Sequence, residues 1–429
     1  MDVKAPLGTE DILPEQAAVW QQVEGTARAV FARYGYGEIR TPVFESTRLF
    51  VRSIGEATDI VEKEMYTLGS GDDSLTLRPE ATAPVVRAYL EHNLHKTRAF
   101  QKLYYIGPMF RHERPQAGRK RQFHQIGVEA IGASDPLLDA EVIALACHFF
   151  GELGLGGYRV RLNSIGTPES RAGYRELIKA ELGAQAAKLC PDCRRRLDRN
   201  VFRVLDCKRE GCIAVSRGLP RILDHLPEAE RSHHGSVCEA LRSAGVAFEE
   251  DAYLVRGFDY YTGTVFEITH GALGAQDAVC GGGRYDRLIA DLGGPELGAV
   301  GFAIGVERVL MGLAATAQAV APPPLDLYIV TMGAPARGTA FAHLCALRRA
   351  GLLADTDYEG RSLKAQMRTA NKLGARFVTV LGDDELASGT LTLKEMATGE
   401  QTQLAGIEAV IGRLRERRGE GAGGIDLNP

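Results

Sequence analysis

The sequence predicts a two-domain protein of the α+β class, and three observations lead to this prediction. The chain has 429 residues, which is too long for one ordinary domain. Two strand patterns, YYIGPMFRHE at 104–113 and RQFHQIGVEAIG at 121–132, fit an antiparallel hairpin among predicted helices. Beyond residue 324, strand and helix patterns alternate as they do in a small α/β domain.

The segment LAATAQAVAPPP at 313–324 marks the domain boundary, because its three prolines cannot continue a helix and favour an extended linker. We therefore expect one domain at 1–322 and a second at 325–418. The last residues, GEGAGGIDLNP at 419–429, predict a flexible tail.

The composition indicates a soluble globular protein, with 45% hydrophobic and 25% charged residues. No run of about 18 apolar residues occurs, and the first residues lack the regions of a signal peptide, so we expect a cytoplasmic location. The net charge of −4 does not exclude a nucleic-acid partner, because a local basic patch can attract phosphates. Eight cysteines without a secretory signal do not indicate a disulfide framework.

Helical periodicity predicts a first helix of about four turns, carried by Val19, Val23, Ala27, Val30 and Phe31. A strand is expected over 39–44, and its proline at position 42 places it at an edge, a bulge or a subunit contact. Further helices are predicted at 80–93, 137–153, 170–186 and 218–244, and further strands at 75–78, 158–163, 252–256 and 264–269.

The second strand of the hairpin carries polar residues and a glycine on one face. Alternation places Ile126, Val128 and Ala130 on one side and Phe123, Gln125, Gly127 and Glu129 on the other. Gly127 opens a gap between its neighbours, as expected where a ligand approaches a sheet. This face is therefore predicted to bind a ligand.

The loop at 113–121 that joins the two strands is basic and contains Gly118, which suits the binding of phosphates. Its cations are Arg114, Arg119, Lys120 and Arg121. The alternative of a solvated basic loop on an ordinary hairpin stays open. No GxxxxGK[ST] motif occurs, so a nucleotide here would not be held by a P-loop.

Two further segments suggest substrate contacts. Strand 299–304 leads into a helix near Gly305, and Arg308 falls in the first helical turn, where the helix dipole disfavours a cation. A bound anion or an aromatic ring would explain this arginine, as would simple exposure to solvent. The run CGGGRYD at 280–286 could be a bare turn into a helix, but its three consecutive glycines suggest instead that substrate approaches the backbone closely.

Four motifs carry a family resemblance that extends over nearly the whole chain. GYGEIRTPVFE, FRHERPQAGRKRQFHQ and GAVGFAIGVERVL resemble the three signature motifs of class II aminoacyl-tRNA synthetases. LVRGFDYYTGTVFEI resembles the histidine-specific signature of the histidyl-tRNA synthetases. The resemblance implies an antiparallel-sheet catalytic core, a helical insertion at about 167–248, a C-terminal anticodon-binding domain and a homodimer formed through the first motif.

The resemblance also implies a reaction, in which the carboxylate of histidine attacks the α-phosphate of ATP before histidine passes to tRNA(His). This step needs positioning, guanidinium groups and Mg²⁺ rather than a general base. Arg111 is then expected at the α-phosphate, and Arg256 at both the α-phosphate and the histidine carboxylate. Phe123 and Arg308 are expected on either side of the adenine, and Arg119 also contacts ATP.

The histidine pocket implied by the family has two parts. The amino group is expected at Glu80, Thr82 and Gln125, and the imidazole ring at Glu129 and Tyr261, with Tyr260 beside it. For the two tyrosines, packing in a core is the alternative. A non-catalytic relative, the regulatory subunit of ATP phosphoribosyltransferase, is the competing function, but it typically lacks the C-terminal domain and has degraded ATP motifs.

Four cysteines lie close together within the predicted insertion. Cys190 and Cys193 form a CxxC pair, and Cys207 and Cys212 form a CxxxxC pair, a spacing compatible with tetrahedral Zn²⁺. The alternative of four reduced thiols stays open. A zinc-ribbon module that binds nucleic acid would explain the insertion but not the other motifs.

Overall fold

The computed structural model describes residues 3–55, 58–315 and 324–419. The chain divides into two compact units, of residues 1–321 and 322–429. Most of the predicted linker, at 316–323, lies outside the described residues, as does the predicted tail after Gly419, which itself ends a helix. Within the described ranges, no helix is both long and apolar enough to cross a membrane.

The first unit combines strands that carry the site with helices that cover them. The strands are β1 (Gly37–Glu38), β2 (Phe44–Ser46), β3 (Tyr66–Leu68), β4 (Leu75–Leu77), β5 (Gln101–Phe110), β6 (Gln122–Ile131), β7 (Tyr158–Ser164), β8 (Glu249–Glu250), β9 (Thr264–His270), β10 (Ala278–Arg284) and β11 (Ala299–Gly305). The helices are α1 (Pro14–Arg33), α2 (Thr47–Ile54), α3 (Thr82–Glu91), α4 (Leu94–Thr97), α5 (Pro136–Glu152), α6 (Ala172–Ala184), α7 (Pro191–Arg199), α8 (Glu210–Ser216), α9 (Glu228–Ser243), α10 (Leu288–Asp291) and α11 (Val306–Ala315).

The main sheet of this unit has the strand order β1-β5-β6-β11-β10-β9-β7-β8. The pairings from β5 to β7 in this order are antiparallel, whereas the two-residue edge strands β1 and β8 pair in parallel. The predicted hairpin is β5–β6, in which Gly107 lies opposite Gln125 and Leu103 opposite Glu129. The predicted α+β class with an antiparallel core sheet is confirmed.

The two faces of this sheet pack differently. Ile126, Val128 and Ala130 of β6 are fully buried in a core completed by α1 and α5. The other face packs with α3 and with helices α6 to α8 of the insertion. The alternation along β6 follows the predicted pattern, and its polar face lies on the side of the insertion.

The second unit is an α/β domain, as predicted. Its strands are β12 (Leu327–Thr331), β13 (Ala354–Thr356), β14 (Phe377–Leu381), β15 (Thr390–Glu395) and β16 (Gln401–Ala405), and its helices are α12 (Ala334–Arg349), α13 (Leu363–Lys372), α14 (Asp383–Ser388) and α15 (Gly406–Gly419). The strand order is β13-β12-β14-β15-β16, with β12, β13 and β14 parallel and the other pairings antiparallel. Strand β16 and helix α14 were not predicted.

Three predicted elements are wrong. The strand at 39–44 is interrupted between β1 and β2, where the carbonyl oxygens of Thr41 and Pro42 accept hydrogen bonds from Arg78 instead of from a strand. The helix at 218–244 begins only at Glu228, because prolines at 220 and 227 break it and a 3₁₀ turn covers 222–225. Residues 252–256 form no strand, and the carbonyl oxygen of Leu254 accepts from the Asn163 side chain.

The glycine run at 281–283 is also not a turn. It lies inside β10, which pairs with β9 on one side and with β11 on the other. Side chains at these positions would clash with the Arg256 guanidinium at Gly281 and with Phe302 at Gly282. The glycines therefore allow protein groups to approach the strand, which the sequence alone did not reveal.

Candidate functional site

A cavity of about 630 Å³ lies on the insertion side of the main sheet. Its lining includes every side chain that the resemblance linked to histidine or ATP, namely Glu80, Thr82, Arg111, Arg119, Phe123, Gln125, Glu129, Arg256, Tyr260, Tyr261 and Arg308. These residues come from the β5–β6 hairpin, the start of α3, the loop before β9 and the start of α11. The fold thus brings the predicted residues together, and their individual roles remain predictions.

Strand β6 supplies Phe123, Gln125 and Glu129 to the cavity. The prediction that Gly127 leaves a gap for a ligand is wrong. The Tyr105 phenol fills this space, and a side chain at position 127 would clash with it. Gln125 is buried, and among the described residues nothing hydrogen-bonds its Oε1 atom. Since an unpaired buried amide oxygen is costly, this atom is suited to contact a ligand.

Glu129 is a buried carboxyl group held by two hydroxyl groups. Thr82 Oγ1 donates to Oε1 over 2.8 Å, and the Tyr285 hydroxyl donates to Oε2. Gly301 lies opposite Glu129 in β11, and a side chain at Gly301 would clash with the carboxylate. Burial raises the pKa of Glu129 to about 8, even though both hydrogen bonds favour the ionised form. This group can therefore change its protonation near neutral pH when a polar ligand binds.

Glu80 has a structural contact in addition to any role with a ligand. Its carboxylate accepts hydrogen bonds from the backbone N–H groups of Thr82, over 2.7 Å, and of Ala83, over 3.0 Å, in the first turn of α3. Burial raises the pKa of Glu80, while these hydrogen bonds act in the opposite direction. The carboxylate thus stabilises the start of α3 and lies at the cavity wall.

Tyr260 and Tyr261 belong to an aromatic cluster that also lines the cavity. The Tyr260 ring stacks on the Phe258 ring, with 5.1 Å between the ring centres. The ring centre of Tyr260 is also 4.7 Å from that of Tyr261 and 5.7 Å from that of Tyr285. Both tyrosines are buried. Core packing and exposure to the cavity, which the sequence offered as alternatives, are therefore both present.

Arg111 lies beside aromatic rings at the end of the hairpin strand β5. Its Nε atom donates to the carbonyl oxygen of Pro79 over 2.9 Å. Its guanidinium lies 5.1 Å from the ring centre of Phe123 and 5.8 Å from that of Phe258, within the range of cation–π attraction. Its Nη1 atom is also 3.9 Å from the Glu113 carboxylate.

Arg308 connects the basic loop to the sheet, whereas Arg119 forms an ion pair within the loop. Arg119 pairs with Glu113 over 3.1 Å. Arg308 lies in the first turn of α11, as predicted, and donates to the carbonyl oxygens of Gly118, over 3.0 Å, and of Ala278, over 2.5 Å. Backbone carbonyl oxygens therefore accept hydrogen bonds from two nitrogen atoms of this guanidinium, Nε and Nη1. Burial lowers the pKa of the guanidinium.

Arg256 lies over β10 and forms an ion pair with Glu267. The distance from Nη1 to Glu267 Oε1 is 2.6 Å, and the arginine side chain is 19% exposed. Burial alone would lower the pKa of Arg256, but Glu267 raises it, so the guanidinium stays ionised. Within the described part of the chain, its Nε atom has no hydrogen-bond partner.

Several acidic or phenolic groups of the cavity were not predicted as site residues, among them Glu64, Glu113, Glu267 and Tyr285. Burial, followed by the neighbouring Glu113 charge, raises the pKa of Glu64. Glu113, Glu267 and Tyr285 lie within segments that the sequence had singled out, so their acidic and phenolic character was visible there. Glu64 carries no comparable signal, because its proximity to the site depends on long-range packing.

The four cysteines of the insertion converge on one point. Their Sγ atoms all lie within 4.8 Å of one another, and Cys190 and Cys207 also line the cavity. Cys190 caps α7 and accepts a hydrogen bond from the Cys193 N–H over 3.4 Å, which lowers the pKa of its thiol to about 7. This donor set suits a metal that prefers thiolate ligands.

The antiparallel sheet, the arginine-lined cavity and the separate α/β domain fit the class II aminoacyl-tRNA synthetases. A family model described as histidyl-tRNA synthetase matches residues 8–309, and one described as an anticodon binding domain matches residues 326–417. The chain belongs to the histidyl-tRNA synthetase family.

Individual relatives agree with this assignment. The chain is 51% identical over 408 residues to the histidine–tRNA ligase of Halothermothrix orenii, covering 94% of this chain and 97% of the relative. The crystal structure of apo histidyl-tRNA synthetase from S. aureus is 39% identical and has a TM-score of 0.81, with 96% of this chain and 100% of that chain covered.

The non-catalytic alternative is not favoured. A Bacillus halodurans structure described as an ATP phosphoribosyltransferase regulatory subunit/histidyl-tRNA synthetase has a TM-score of 0.64, covering 88% of this chain and 98% of that chain. It is only 23% identical, so it shares the fold and no more. By contrast, the anticodon-domain match covers residues 326–417, and the identity to a histidine–tRNA ligase extends over 94% of the chain.

Proposed function

We propose that the chain activates L-histidine with ATP, giving histidyl-adenylate and pyrophosphate, and then transfers histidine to the 3′ end of tRNA(His). The observation that carries this proposal is the convergence of distant acidic, phenolic and arginine side chains on one cavity. Acidic and phenolic groups suit the ammonium and imidazole of histidine, whereas arginines suit its carboxylate and the phosphates of ATP.

At the histidine pocket, the imidazole ring contacts Glu129 and Tyr261, with Tyr260 beside it. The amino group faces Glu80, Thr82 and the free Oε1 atom of Gln125. The Thr82 hydroxyl group also donates to Glu129, which connects the two parts of the pocket. A pocket that hydrogen-bonds both ring nitrogens rejects amino acids that lack them, since buried polar groups would then be left unpaired.

ATP occupies the arginine-rich part of the cavity, with its adenine between Phe123 and Arg308 and its phosphates at Arg111 and Arg119. Arg111 and Arg119 both lie near the Glu113 carboxylate. When ATP binds, its phosphates would take the place of this carboxylate as the anionic partner of the two arginines. Mg²⁺ fits here, because Glu64 and Glu113 line the cavity and Mg²⁺ is usually held by one or two carboxylates together with substrate phosphates. Bound there, it would neutralise phosphate charge.

The chemical step depends on positioning and on charge stabilisation by the protein. The carboxylate of histidine is already ionised at neutral pH, so no general base is needed. Arg256 spans this carboxylate and the α-phosphate with its planar guanidinium. Glu267 holds the guanidinium by an ion pair, and Gly281 leaves room for it over β10.

The second unit binds the anticodon region of the tRNA, and the active enzyme is a cytoplasmic homodimer. The dimer contact uses the first motif, where Val43 and Phe44 are 40% and 50% exposed. Neighbouring exposed apolar side chains of this kind support a surface that a second subunit covers.

The four cysteines hold one structural Zn²⁺. A tetrahedral site with Zn–S bonds of about 2.3 Å separates the sulfur atoms by about 3.8 Å, which agrees with a cluster whose members all lie within 4.8 Å. Elemental analysis of protein purified without chelator should find about one zinc per chain. Protein that contains no zinc would contradict this assignment.

Amino-acid-dependent exchange of pyrophosphate into ATP tests the activation step, and charging of tRNA(His) tests the transfer. Exchange should depend on histidine and not on the other amino acids. A folded protein that binds histidine but supports no exchange would instead be the regulatory paralogue.

A further inference from the structure

The segment between Cys193 and Cys207 contacts the loop that carries the histidine signature. We refer to residues 194–206 as the arm, which contains most of α7 and a 3₁₀ turn at Val201–Val204. The cysteine cluster fixes both ends of the arm, because Cys193 and Cys207 belong to it. Any metal in the cluster therefore constrains the arm from two sides.

Arg203 is the residue of the arm that contacts the backbone of the signature loop. Its Nη1 atom donates to the carbonyl oxygen of Gly257 over 3.1 Å, and its Nη2 atom donates to Asp59 Oδ2 over 3.4 Å. Gly257 directly follows Arg256 in the chain. One guanidinium thus holds the backbone beside the residue expected to contact the reacting carboxylate.

The Arg203 guanidinium also lies close to the Cα atom of Gly257. A Cβ atom at this position would lie 2.9 Å from Arg203 Nη1, so the guanidinium would have to shift to make room for a side chain. A second contact joins the arm to the same loop, because Asn200 Nδ2 donates to Asp259 Oδ1 over 2.9 Å, directly before Tyr260. The arm therefore contacts the 256–261 segment at two positions, 257 and 259.

Packing supports the same connection. Val201 and Val204 of the arm are buried in the apolar core that contains Tyr260 and Tyr261. Arg196 donates to the carbonyl oxygen of Arg203 over 3.2 Å and also pairs with Asp59. A displacement of the arm would therefore change the contacts of the loop rather than leave them unaffected.

We propose that Arg203 is a positioning residue for histidine binding, and that it couples the metal state of the four-cysteine cluster to the histidine affinity of the site. The proposal rests on the proposed function for the identities of histidine and zinc. Loss of the metal or of the guanidinium should then have the same consequence, a misplaced 256–261 segment and weaker binding of histidine.

The test measures histidine binding by full-length protein through equilibrium dialysis, together with the KM values for histidine and ATP in pyrophosphate exchange. Arg203→Ala should raise the Kd and KM for histidine by about 10-fold or more, as expected for a lost hydrogen bond to a charged group, with little change in the KM for ATP. Arg203→Lys should restore part of the affinity. The matched control is Arg195→Ala on α7, since Arg195 is 70% exposed and pairs with Asp192.

Cys212→Ser tests the link to the cluster, because Cys212 is buried at the cluster and is not among the residues that line the cavity. It should lower the zinc content and weaken histidine binding, and combining it with Arg203→Ala should add little, since both changes act through one contact. Arg203→Ala keeps all four cysteines, so it gives an answer even if the serine variant fails to fold.

The outcomes separate this proposal from the proposed function. If Arg203→Ala binds histidine as tightly as Arg195→Ala does, the positioning role is overturned. If folded, zinc-free Cys212→Ser binds histidine as the wild type does, the coupling is overturned. Wild-type protein without zinc would refute the zinc site and the coupling together. Histidine binding without exchange activity would refute the proposed reaction alone, because dialysis would still report on Arg203.

Discussion

Charged side chains in the cavity depend on glycines that make room for them. Side chains at Gly281, Gly301 and Gly257 would clash with or crowd Arg256, Glu129 and Arg203, respectively. The sequence contains these glycines but does not reveal which side chains lie against them in the fold. The prediction for the run at 281–283 was therefore an approaching substrate. Only the tertiary contacts identify the groups that occupy the space.

Glu129 should make stability depend on pH in the ligand-free protein. Its pKa is about 8 in the folded protein, whereas the ordinary value is 4.5. Between these two pH values the folded state therefore retains a proton that the unfolded chain has released. This contribution to stability is complete below about pH 4.5 and is lost as the pH rises through about 8. Glu129→Gln cannot titrate and should therefore lose less stability over this range.

Urea unfolding followed by fluorescence of Trp20, the single tryptophan, measures this effect in the first unit at pH 5 and pH 8. The difference between the two midpoints should be smaller in Glu129→Gln than in the wild type. Equal differences in both proteins would show that Glu129 titrates normally.

Elements with a local signal were predicted well, and elements that depend on distant partners were not. The β5–β6 hairpin was visible because its alternation of apolar and polar residues is local. Residues 252–256 were predicted as a strand but form none, and the Asn163 side chain binds their backbone instead. The edge strands β3 and β16 escaped prediction because they are short and partly exposed.

Asp139 joins α5 to three other elements and should be important for stability. Its buried carboxylate pairs with Arg284 of β10 and accepts hydrogen bonds from Thr264 of β9, over 2.6 Å, and from His233 of α9, over 2.9 Å. Asp139→Ala leaves Arg284 buried without this partner, so it should cost about 3–5 kcal/mol of stability.

Urea unfolding with Trp20 fluorescence again provides the measurement for Asp139→Ala. Glu169→Ala is the control, because it breaks only an exposed ion pair with Arg287 and should change stability far less. A similarly small effect in Asp139→Ala would contradict the proposed importance of the buried network.

At the level of the whole chain, the two units have separate predicted tasks. The residues expected to bind histidine and ATP all lie in the first unit, and the anticodon-domain match lies in the second. The sequence indicated this division through its prolines and its alternating C-terminal pattern. The insertion was harder to interpret, because its cysteines and arginines acquire meaning only from the contacts that folding creates.

A shortened chain ending at residue 321 should keep histidine-dependent pyrophosphate exchange but charge tRNA(His) poorly. The first unit has its own cores, so the shortened chain is expected to fold, which Trp20 fluorescence can verify. Charging at limiting tRNA should fall by about 10-fold or more if the anticodon contacts contribute a few hydrogen bonds. Unimpaired charging would contradict the anticodon role of the second unit.

We expect the cavity to form histidyl-adenylate from histidine and ATP, with release of pyrophosphate and with Arg256 at the reacting α-phosphate. Single-turnover formation of histidyl-adenylate by wild type and by Arg256→Ala, both shown to be folded, tests it most directly. Wild type should form the adenylate, and the variant should be slower by about 10²–10³-fold, the range for losing one preorganised charge-stabilising donor. A near-wild-type rate in the variant, with reduced thermal stability, would show that Arg256 only pairs with Glu267 and would contradict the claim.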